Sequence, residues 1–387
     1  MCLGTSAAYA TDPVRSSEWP LDSHHFQADS VWKVSRGAGV TVAVIDSGVS
    51  ATHPDLAGQI LPGASLLGDG GDGRTDASGD SHGTAIAGII AGTGGPPPAG
   101  GMYGLAPAVK IMPVRVAVGS QIAPETLAQG IVWAADHGAQ VINLSMGTAS
   151  PDPLLQKAVN YALGKDIVLV AAAGNGGQSG NAPMYPAAYP GVVSVSGTDE
   201  SGAFWAPSES GHGITLAAPA TDIYSTNDQS QYVHADGTSY ATAYVSAAAA
   251  LVRSHEPHLS AGQVVRRLIS TTSQHHARPD AKIGFGELDP LAALSATGDP
   301  GSPENPLLHP DAAPASAAGN SNVIVIGGAA LGALLCAAGG ITLRRRRIRS
   351  IAPASARQRE NTGARGKSTA PSKADTKTKS RSGSRSR

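Results

Sequence analysis

The chain has 387 residues, and 41% of them are hydrophobic, which is enough apolar material for a sizeable packed core. The formal net charge of −1 hides a division: residues 344–387 carry 15 lysines and arginines against two acidic residues, and the rest of the chain is acidic. Cys2 and Cys336 are the only cysteines, which excludes a disulfide framework and a cysteine-based metal site in the body between them.

The start of the chain resembles the end of an export signal. The sequence AYA at 8–10 has the small-residue pattern of a signal-peptide cleavage site, but the residues before it lack a basic region and a full apolar region. We therefore expect residues 1–10 to be the remnant of a signal peptide that starts upstream. Residues 11–35 are then an N-terminal extension of the mature protein.

The body, residues 36–297, alternates between strand and helix patterns. Apolar runs predict buried strands at 40–46, 109–116, 139–145 and 166–175. Helices are predicted at 84–92, 124–138 and 153–165, and from Ser239 onward. This alternation predicts an α/β fold of three layers, in which a parallel sheet has helices on both faces.

The C-terminal part predicts a membrane anchor. Residues 298–322 are rich in proline and alanine and are expected to be a tether, and residues 323–343 are 21 uncharged residues, long enough to cross a bilayer. The arginines that follow place this end in the cytoplasm by the positive-inside rule, so the body lies outside the cell. A buried core helix is the alternative, and the flanking sequences argue against it. We expect the basic tail, residues 344–387, to be disordered and to lie on anionic lipid, with no nucleic acid as partner.

Four polar residues stand at positions where an α/β sheet presents ligand-binding groups. Asp46 ends the first apolar strand, His82 begins a helix, and Asn175 follows a strand between glycines. Ser239 lies where the turn GTS becomes an alanine-rich helix. Each has an ordinary structural interpretation when taken alone: a helix cap, a surface histidine or a turn residue.

Together the four residues have the chemistry of a serine hydrolase. Histidine can take the proton of a serine hydroxyl near neutral pH, and aspartate holds the histidine in the required tautomer. The order Asp, His, Ser is one of the three chain orders in which this triad is found. A serine at a helix N-terminus gains a backbone N–H for the oxyanion, and an asparagine can supply the second donor.

The quoted motifs also resemble those of a known family. VAVIDSGV, HGTAIAGI, AAAGN and GTSYATAYV are similar, in order and spacing, to the four conserved blocks of the subtilisin-like serine proteases (subtilases). The resemblance covers roughly residues 36–297 and implies a subtilisin-like fold with Asp46, His82 and Ser239 as the triad and Asn175 in the oxyanion hole. It further implies that substrate binds to two segments: Ser145, Met146 and Gly147; and Ala171, Ala172, Ala173 and Gly174.

Within this family, the extension, the tether and the single membrane helix are most similar to the mycosins, proteases associated with type VII secretion. That resemblance implies processing of secreted proteins and contact with a membrane secretion complex. The chain differs from the family where Ala243 and Tyr244 replace the usual proline and histidine, and its body lacks the cysteines that mycosins generally have. The alanine predicts an uninterrupted helix after Ser239.

Two further questions stay open at this level. The segment 68–80 holds four aspartates among glycines, and we consider either a Ca²⁺ site or a mobile loop beside His82, the loop being favoured because the spacing of a defined calcium loop is missing. No cofactor and no metal is expected at the catalytic site.

The alternative function is a catalytically silent scaffold on the same fold that stabilises a membrane complex. The small apolar residues of the two substrate segments suggest an uncharged pocket.

Overall fold

The computed structural model of the protein describes residues 13–308, apart from residues 77, 96–99, 120–121 and 212. A seven-stranded parallel sheet organises this part of the chain, with strand order β2-β3-β1-β4-β5-β6-β7. Its strands in chain order are β1 Thr41–Asp46, β2 Ala64–Ser65, β3 Lys110–Arg115, β4 Val141–Leu144, β5 Val168–Ala172, β6 Val193–Thr198 and β7 Leu216–Pro219. A separate antiparallel pair consists of β8 Ile223–Thr226 and β9 Tyr232–Ala235.

Parallel strands need crossover connections, and the connections from β2 to β3, from β3 to β4 and from β4 to β5 each contain a helix. The described residues form eight α-helices. They are α1 Pro13–Ser16, α2 Ala28–Val34, α3 His82–Ala91, α4 Pro124–Asp136, α5 Pro153–Gly164, α6 Thr238–His255, α7 Ala261–Ser270 and α8 Pro290–Ser295, with short 3₁₀ turns at Trp19–Leu21 and Pro54–Leu56. Local sequence explains several of the boundaries. Asp152 caps α5 with its side chain, and Ser260 and Gln263 form a capping box at the start of α7.

The sheet is apolar on both faces, which is why its strands read as continuous apolar runs. Val42, Val44 and Val170 point to one core, which α3, α6 and α7 cover. Their neighbours Ala43 and Ile45 point to a second core, which α4 and α5 cover. Successive strand residues face opposite sides, so two cores on one sheet give the three-layer arrangement predicted from the sequence.

Helix α6 is the central helix of the first core. Its residues from Thr238 to Arg253 are buried on every side, and they include six alanines that let the helix lie close to the sheet. Ala243 continues this helix without interruption, as the sequence predicted. The helix therefore holds its N-terminal turn, where Ser239 lies, in a rigid position.

The N-terminal residues 13–35 pack onto the body. Leu21, Phe26 and Val31 are buried in the first core, and the ring of Phe26 lies edge-on against Tyr244 of α6, with 5.3 Å between the ring centroids. Trp19 donates a hydrogen bond from Nε1 to the carbonyl of Thr221. Tyr244, which departs from the family pattern, thus contacts the N-terminal extension.

Every strand and helix predicted within residues 36–297 is confirmed, with ends that differ by at most three residues. Among the residues that the structure describes, no helix has both the length and the apolar character needed to cross a bilayer. The segment 323–343, predicted to be a membrane helix, lies outside those residues, as do the signal-peptide remnant and the basic tail.

Candidate active site

The residues singled out in the sequence come together at the carboxyl edge of the sheet. Asp46 is the last residue of β1, and the next strand in the sheet, β4, ends directly before Ser145. His82 is the first residue of α3 and Ser239 the second of α6, so two helix N-termini point to the same edge. Crevices at this edge are the usual ligand sites of parallel sheets.

Asp46 and His82 form a direct pair. Nδ1 of His82 lies 2.8 Å from Oδ1 of Asp46, and the same oxygen accepts hydrogen bonds from the N–H and the hydroxyl of Ser47. The Asp46 side chain is fully buried, and its Oδ2 has no hydrogen-bond partner among the described residues. The imidazole is therefore the one ionisable group bonded to this buried carboxylate within the described chain.

This pairing changes the proton affinity of the histidine. Burial alone would lower the pKa of His82. The charge and the hydrogen bond of Asp46, followed by the charges of Asp80 and Asp76, outweigh burial and raise that pKa to about 9. The site therefore stabilises the imidazolium form, which is the form a general base adopts after it has taken a proton.

Ser239 is nearly buried, and its Oγ donates a hydrogen bond to the carbonyl of Ser145 at 2.9 Å. In the part of the chain that is described, no hydrogen bond joins Ser239 to His82. Rotation about χ1 would turn the hydroxyl from the Ser145 carbonyl toward another acceptor. As the second residue of a helix, Ser239 has a backbone N–H without an intrahelical partner.

Asn175 is held by Thr238, a residue that the sequence analysis did not identify. Its Oδ1 accepts hydrogen bonds from the N–H of Thr238 at 3.0 Å and from the Thr238 hydroxyl at 2.9 Å. The same hydroxyl accepts from the N–H of Gly174 at 3.2 Å. With its oxygen fixed in this way, the Asn175 amide keeps its NH₂ group as a donor, and its Nδ2 lies 3.4 Å from the position that a Cβ on Gly237 would take, at the turn that leads to Ser239. The position of Thr238 directly before the serine was the available signal.

A buried polar chain also supports the serine turn, and two of its members, Asn143 and Ser246, were not predicted from the sequence. Ser246 donates to Asn143 Oδ1, Asn143 Nδ2 donates to Ser145 Oγ, and Ser145 Oγ donates to the carbonyl of Ser239. Asn143 and Ser246 are completely buried. Each polar group has a partner, so the chain fixes β4 and α6 relative to each other.

The acidic segment 68–80 is organised around Asp76. Oδ2 of this buried carboxylate accepts from the N–H and the hydroxyl of Thr84, and Oδ1 accepts from the hydroxyls of Ser47 and Ser78. Ser78 Oγ in turn accepts from the N–H of His82. Asp76 therefore joins the first turn of α3 to the residue after Asp46.

The other carboxylates of this segment do not converge on one point. Asp69 pairs with Arg115 and Asp72 with Arg74. Main-chain hydrogen bonds also tie Gly71 and Asp72 to the sheet edge through Ser65 and Gly63. The described residues contain no group of three or more histidine, cysteine, aspartate or glutamate side chains that could hold a metal ion.

The two segments expected to bind substrate lie after adjacent strands, since Leu144 of β4 pairs with Ala171 of β5. Met146 and Gly147 are half-buried, as are Ala172 and Gly174. The side chain of Ala171 lies wholly in the core beneath α4 and α5 and that of Ala173 is 4% exposed, so these two positions can offer a substrate only their main chain.

Comparison with known proteins agrees with this fold. The model of the subtilase family (peptidase S8) matches residues 37–286, and the chain belongs to that family of serine endopeptidases. It is 41% identical to thermitase of Thermoactinomyces vulgaris over 244 residues, which cover 63% of this chain and 85% of thermitase.

A second group of relatives extends further along the chain. Mycosin-3 of Mycobacterium tuberculosis is 34% identical, with 82% of each chain covered. Among solved structures, MycP1 of Mycobacterium smegmatis superimposes with a TM-score of 0.63 at 31% identity, covering 74% of this chain and 86% of that one. The MycP3 protease from the type VII (ESX-3) secretion system gives 0.59 at 36% identity, covering 70% and 87%. The resemblance to subtilases and mycosins inferred from the sequence is thereby confirmed.

Proposed function

We propose that the protein is a membrane-anchored extracellular endopeptidase that cleaves peptide bonds with Asp46, His82 and Ser239 as its catalytic triad. The observation that carries this proposal is the 2.8 Å contact between His82 Nδ1 and the buried carboxylate of Asp46 at the sheet edge where Ser239 also lies. A histidine oriented in this way has its other ring nitrogen available to act as a base.

In the proposed reaction, the Ser239 hydroxyl turns from the Ser145 carbonyl to His82. Nε2 of His82 takes the proton while Oγ forms a bond to the carbonyl carbon of the substrate. His82 then gives this proton to the leaving amine as the peptide C–N bond breaks, which leaves an acyl-enzyme on Ser239. A water molecule, deprotonated by His82, hydrolyses the ester and restores the serine.

The oxyanion that forms in each step needs donors that are already in place. The N–H of Ser239 is one donor in the proposed site and the Nδ2–H of Asn175 is the other. Thr238 fixes the Asn175 oxygen with two hydrogen bonds, so little reorganisation is needed when charge develops. Asp46 stabilises the imidazolium that accompanies the oxyanion, consistent with the raised pKa of His82.

The cellular role that we propose is the processing of secreted proteins next to a type VII secretion complex. The similarity to Mycosin-3 over 82% of the chain and to the MycP3 protease supports this role. The uncharged segment 323–343 and the arginines after it support a single membrane crossing with the protease outside.

Labelling with a fluorophosphonate probe tests the chemistry. The full-length chain should react at Ser239, and Ser239→Ala should not react. The surface variant Ser150→Ala, in an exposed loop, should react like the wild type. If the folded wild type resists the probe, or if Ser239→Ala is labelled equally, the protease proposal fails and the scaffold alternative gains support.

A further inference from the structure

A buried carboxylate lies beside one of the two segments expected to hold the substrate. Glu209 is 7% exposed, and its backbone N–H donates to the carbonyl of Gly174 at 2.9 Å. A Cβ atom placed on Gly174 would lie 2.8 Å from Oε1 of Glu209, and a Cβ placed on Gly176 would lie equally close to the same oxygen. The carboxylate thus lies against the main chain on both sides of Asn175, at Gly174 and Gly176.

Met184 marks the other side of the same space. A Cβ on Gly174 would be 2.6 Å from Met184 Cγ, and a Cβ on Gly147 would be 3.6 Å from Met184 Cε. The methionine side chain therefore reaches both substrate segments. We use the term primary pocket for the space bounded by Gly147, Gly174, Met184 and Glu209. Met184 and Glu209 pack against Gly174, so a long substrate side chain enters this space when the flexible Met184 side chain turns aside. Glu209 is the one charged residue of these four.

Within the described part of the chain, the carboxylate of Glu209 has no cationic partner. No lysine, arginine or histidine among the described residues forms an ion pair with it, and within that part of the chain the N–H of Gly176 is the group that stabilises its charge. Burial raises the pKa of Glu209, and the Gly176 N–H opposes this rise only in part. A buried carboxylate in this situation gains free energy when a cation comes within bonding distance.

We infer that Glu209 selects substrates with lysine or arginine on the acyl side of the scissile bond. The inference rests on the proposed protease function. The aliphatic stem of the substrate side chain would lie along Met184 and the glycines, and its charged end would reach Glu209. This proposal differs from the uncharged pocket suggested by the small residues in the sequence.

Matched peptides test the inference. Internally quenched peptides that differ only in the acyl-side residue, lysine or norleucine, are compared by kcat/KM with the full-length chain. Norleucine keeps the stem of lysine and lacks the ammonium group. Hydrogen bonds to charged groups of this kind contribute roughly 10- to 100-fold, so wild type should prefer lysine by at least about tenfold.

Glu209→Gln should abolish most of that preference and leave the norleucine kcat/KM within about threefold of wild type, since it removes the charge and keeps the shape. Glu304→Gln, an exposed glutamate, is the control and should change neither value. The rate of fluorophosphonate labelling at Ser239 reports whether each variant is folded.

The outcomes separate the two proposals. If Ser239 is labelled and wild type cleaves norleucine as well as lysine, the role of Glu209 is wrong while the protease function stands. If Glu209→Gln keeps the lysine preference, the role of Glu209 is likewise wrong and the protease function still stands. If no peptide is cleaved and Ser239 is not labelled, the protease proposal fails and the specificity fails with it. A wild-type ratio near one refutes the role of Glu209 even if Glu209→Gln does not fold. If wild type prefers lysine and Glu209→Gln does not fold, Glu209→Asp, which keeps the charge on a shorter side chain, should lower the lysine preference, and an unchanged preference would refute the role.

Discussion

Replacing Asp46 by asparagine should disable the site by a calculable amount. Against the opposing effect of burial, the pKa of His82 rises from 6.5 to about 9 in the folded protein, and Asp46 is the largest cause of that rise. At about 1.4 kcal/mol per pKa unit, the folded site favours the imidazolium by roughly 3 kcal/mol. Imidazolium forms in the transition state, so losing this stabilisation alone should lower kcat by about 10²-fold.

A second effect adds to the first. The amide of the asparagine side chain in Asp46→Asn can present its NH₂ group to Nδ1 of His82. It would then favour the tautomer in which Nε2 carries the proton and cannot act as a base. Exchange of the triad aspartate for asparagine costs about 10⁴-fold in another serine protease for this reason. We therefore expect a loss of about 10²- to 10⁴-fold in kcat for Asp46→Asn.

The pH dependence gives an independent measurement. In the proposed mechanism only neutral His82 can accept the serine proton, so kcat/KM of the wild type should rise with pH through the pKa of this group, about 9. In Asp46→Asn, this rise should move to lower pH because the stabilising charge is gone. Asp80→Asn, which removes an exposed charge that also acts on His82, should give a smaller shift in the same direction that fades with added salt.

The assay is kcat/KM for one quenched peptide between about pH 5 and pH 11, with fluorophosphonate labelling to count active molecules. Residual kcat within about tenfold of wild type, together with an unmoved pH profile, would refute the assignment of Asp46 as the partner of His82. A low kcat with an unmoved profile would show that the aspartate orients the imidazole but does not set its charge.

Two other changes have definite expectations. Asn175→Ala should lower kcat by about 10²- to 10³-fold with little change in KM, because an oxyanion donor acts in the transition state, and Thr238→Val should cause a smaller loss of the same kind. Steady-state kinetics measure both, and a rise in KM alone would contradict the assignment. Phe26→Ala should destabilise the protein by about 3–5 kcal/mol because it empties a buried site against α6, whereas Val34→Ala, at a position 40% exposed in the same segment, should change stability little. Chemical denaturation measures this difference, and equal effects would show that the N-terminal segment is not part of the core.

The sequence was sufficient for those parts of the site that depend on local pattern. Asp46 ends an apolar strand and His82 begins a helix, and each position follows from the periodicity around it. Ser239 was placed at a helix N-terminus for the same reason. The parallel sheet then brings such positions to one edge, because all of its carboxyl ends lie there.

The positions of Asp76 and Glu209 in the site could not be predicted from the sequence, because they depend on contacts between distant segments. Asp76 looked like one acidic residue among four, and only its bonds to Thr84 and Ser47 distinguish it from Asp69 and Asp72. Glu209 is far from Gly174 along the chain, and no local pattern connects the two.

The burial of the Ala171 side chain could have been predicted from the sequence. Strand residues alternate between faces, so Val170 and Ala171 must point to opposite sides of the sheet. With both faces covered by helices, the side chain of Ala171 had to enter a core, where it is indeed found. The same alternation therefore predicts that Ala171 can contact a substrate only through its main chain.

The docking of residues 13–35 also sets an order of events during synthesis. The hydrogen bond from Trp19 to Thr221 spans 202 residues, and the bond from Ser35 to Leu251 spans 216. The segment therefore emerges from the ribosome long before these partners exist, and these contacts can form only after the partners have emerged. Contacts of such long range form slowly. During this interval Leu21, Phe26 and Val31 remain accessible, so an unfinished chain presents to chaperones an apolar stretch that the folded protein conceals.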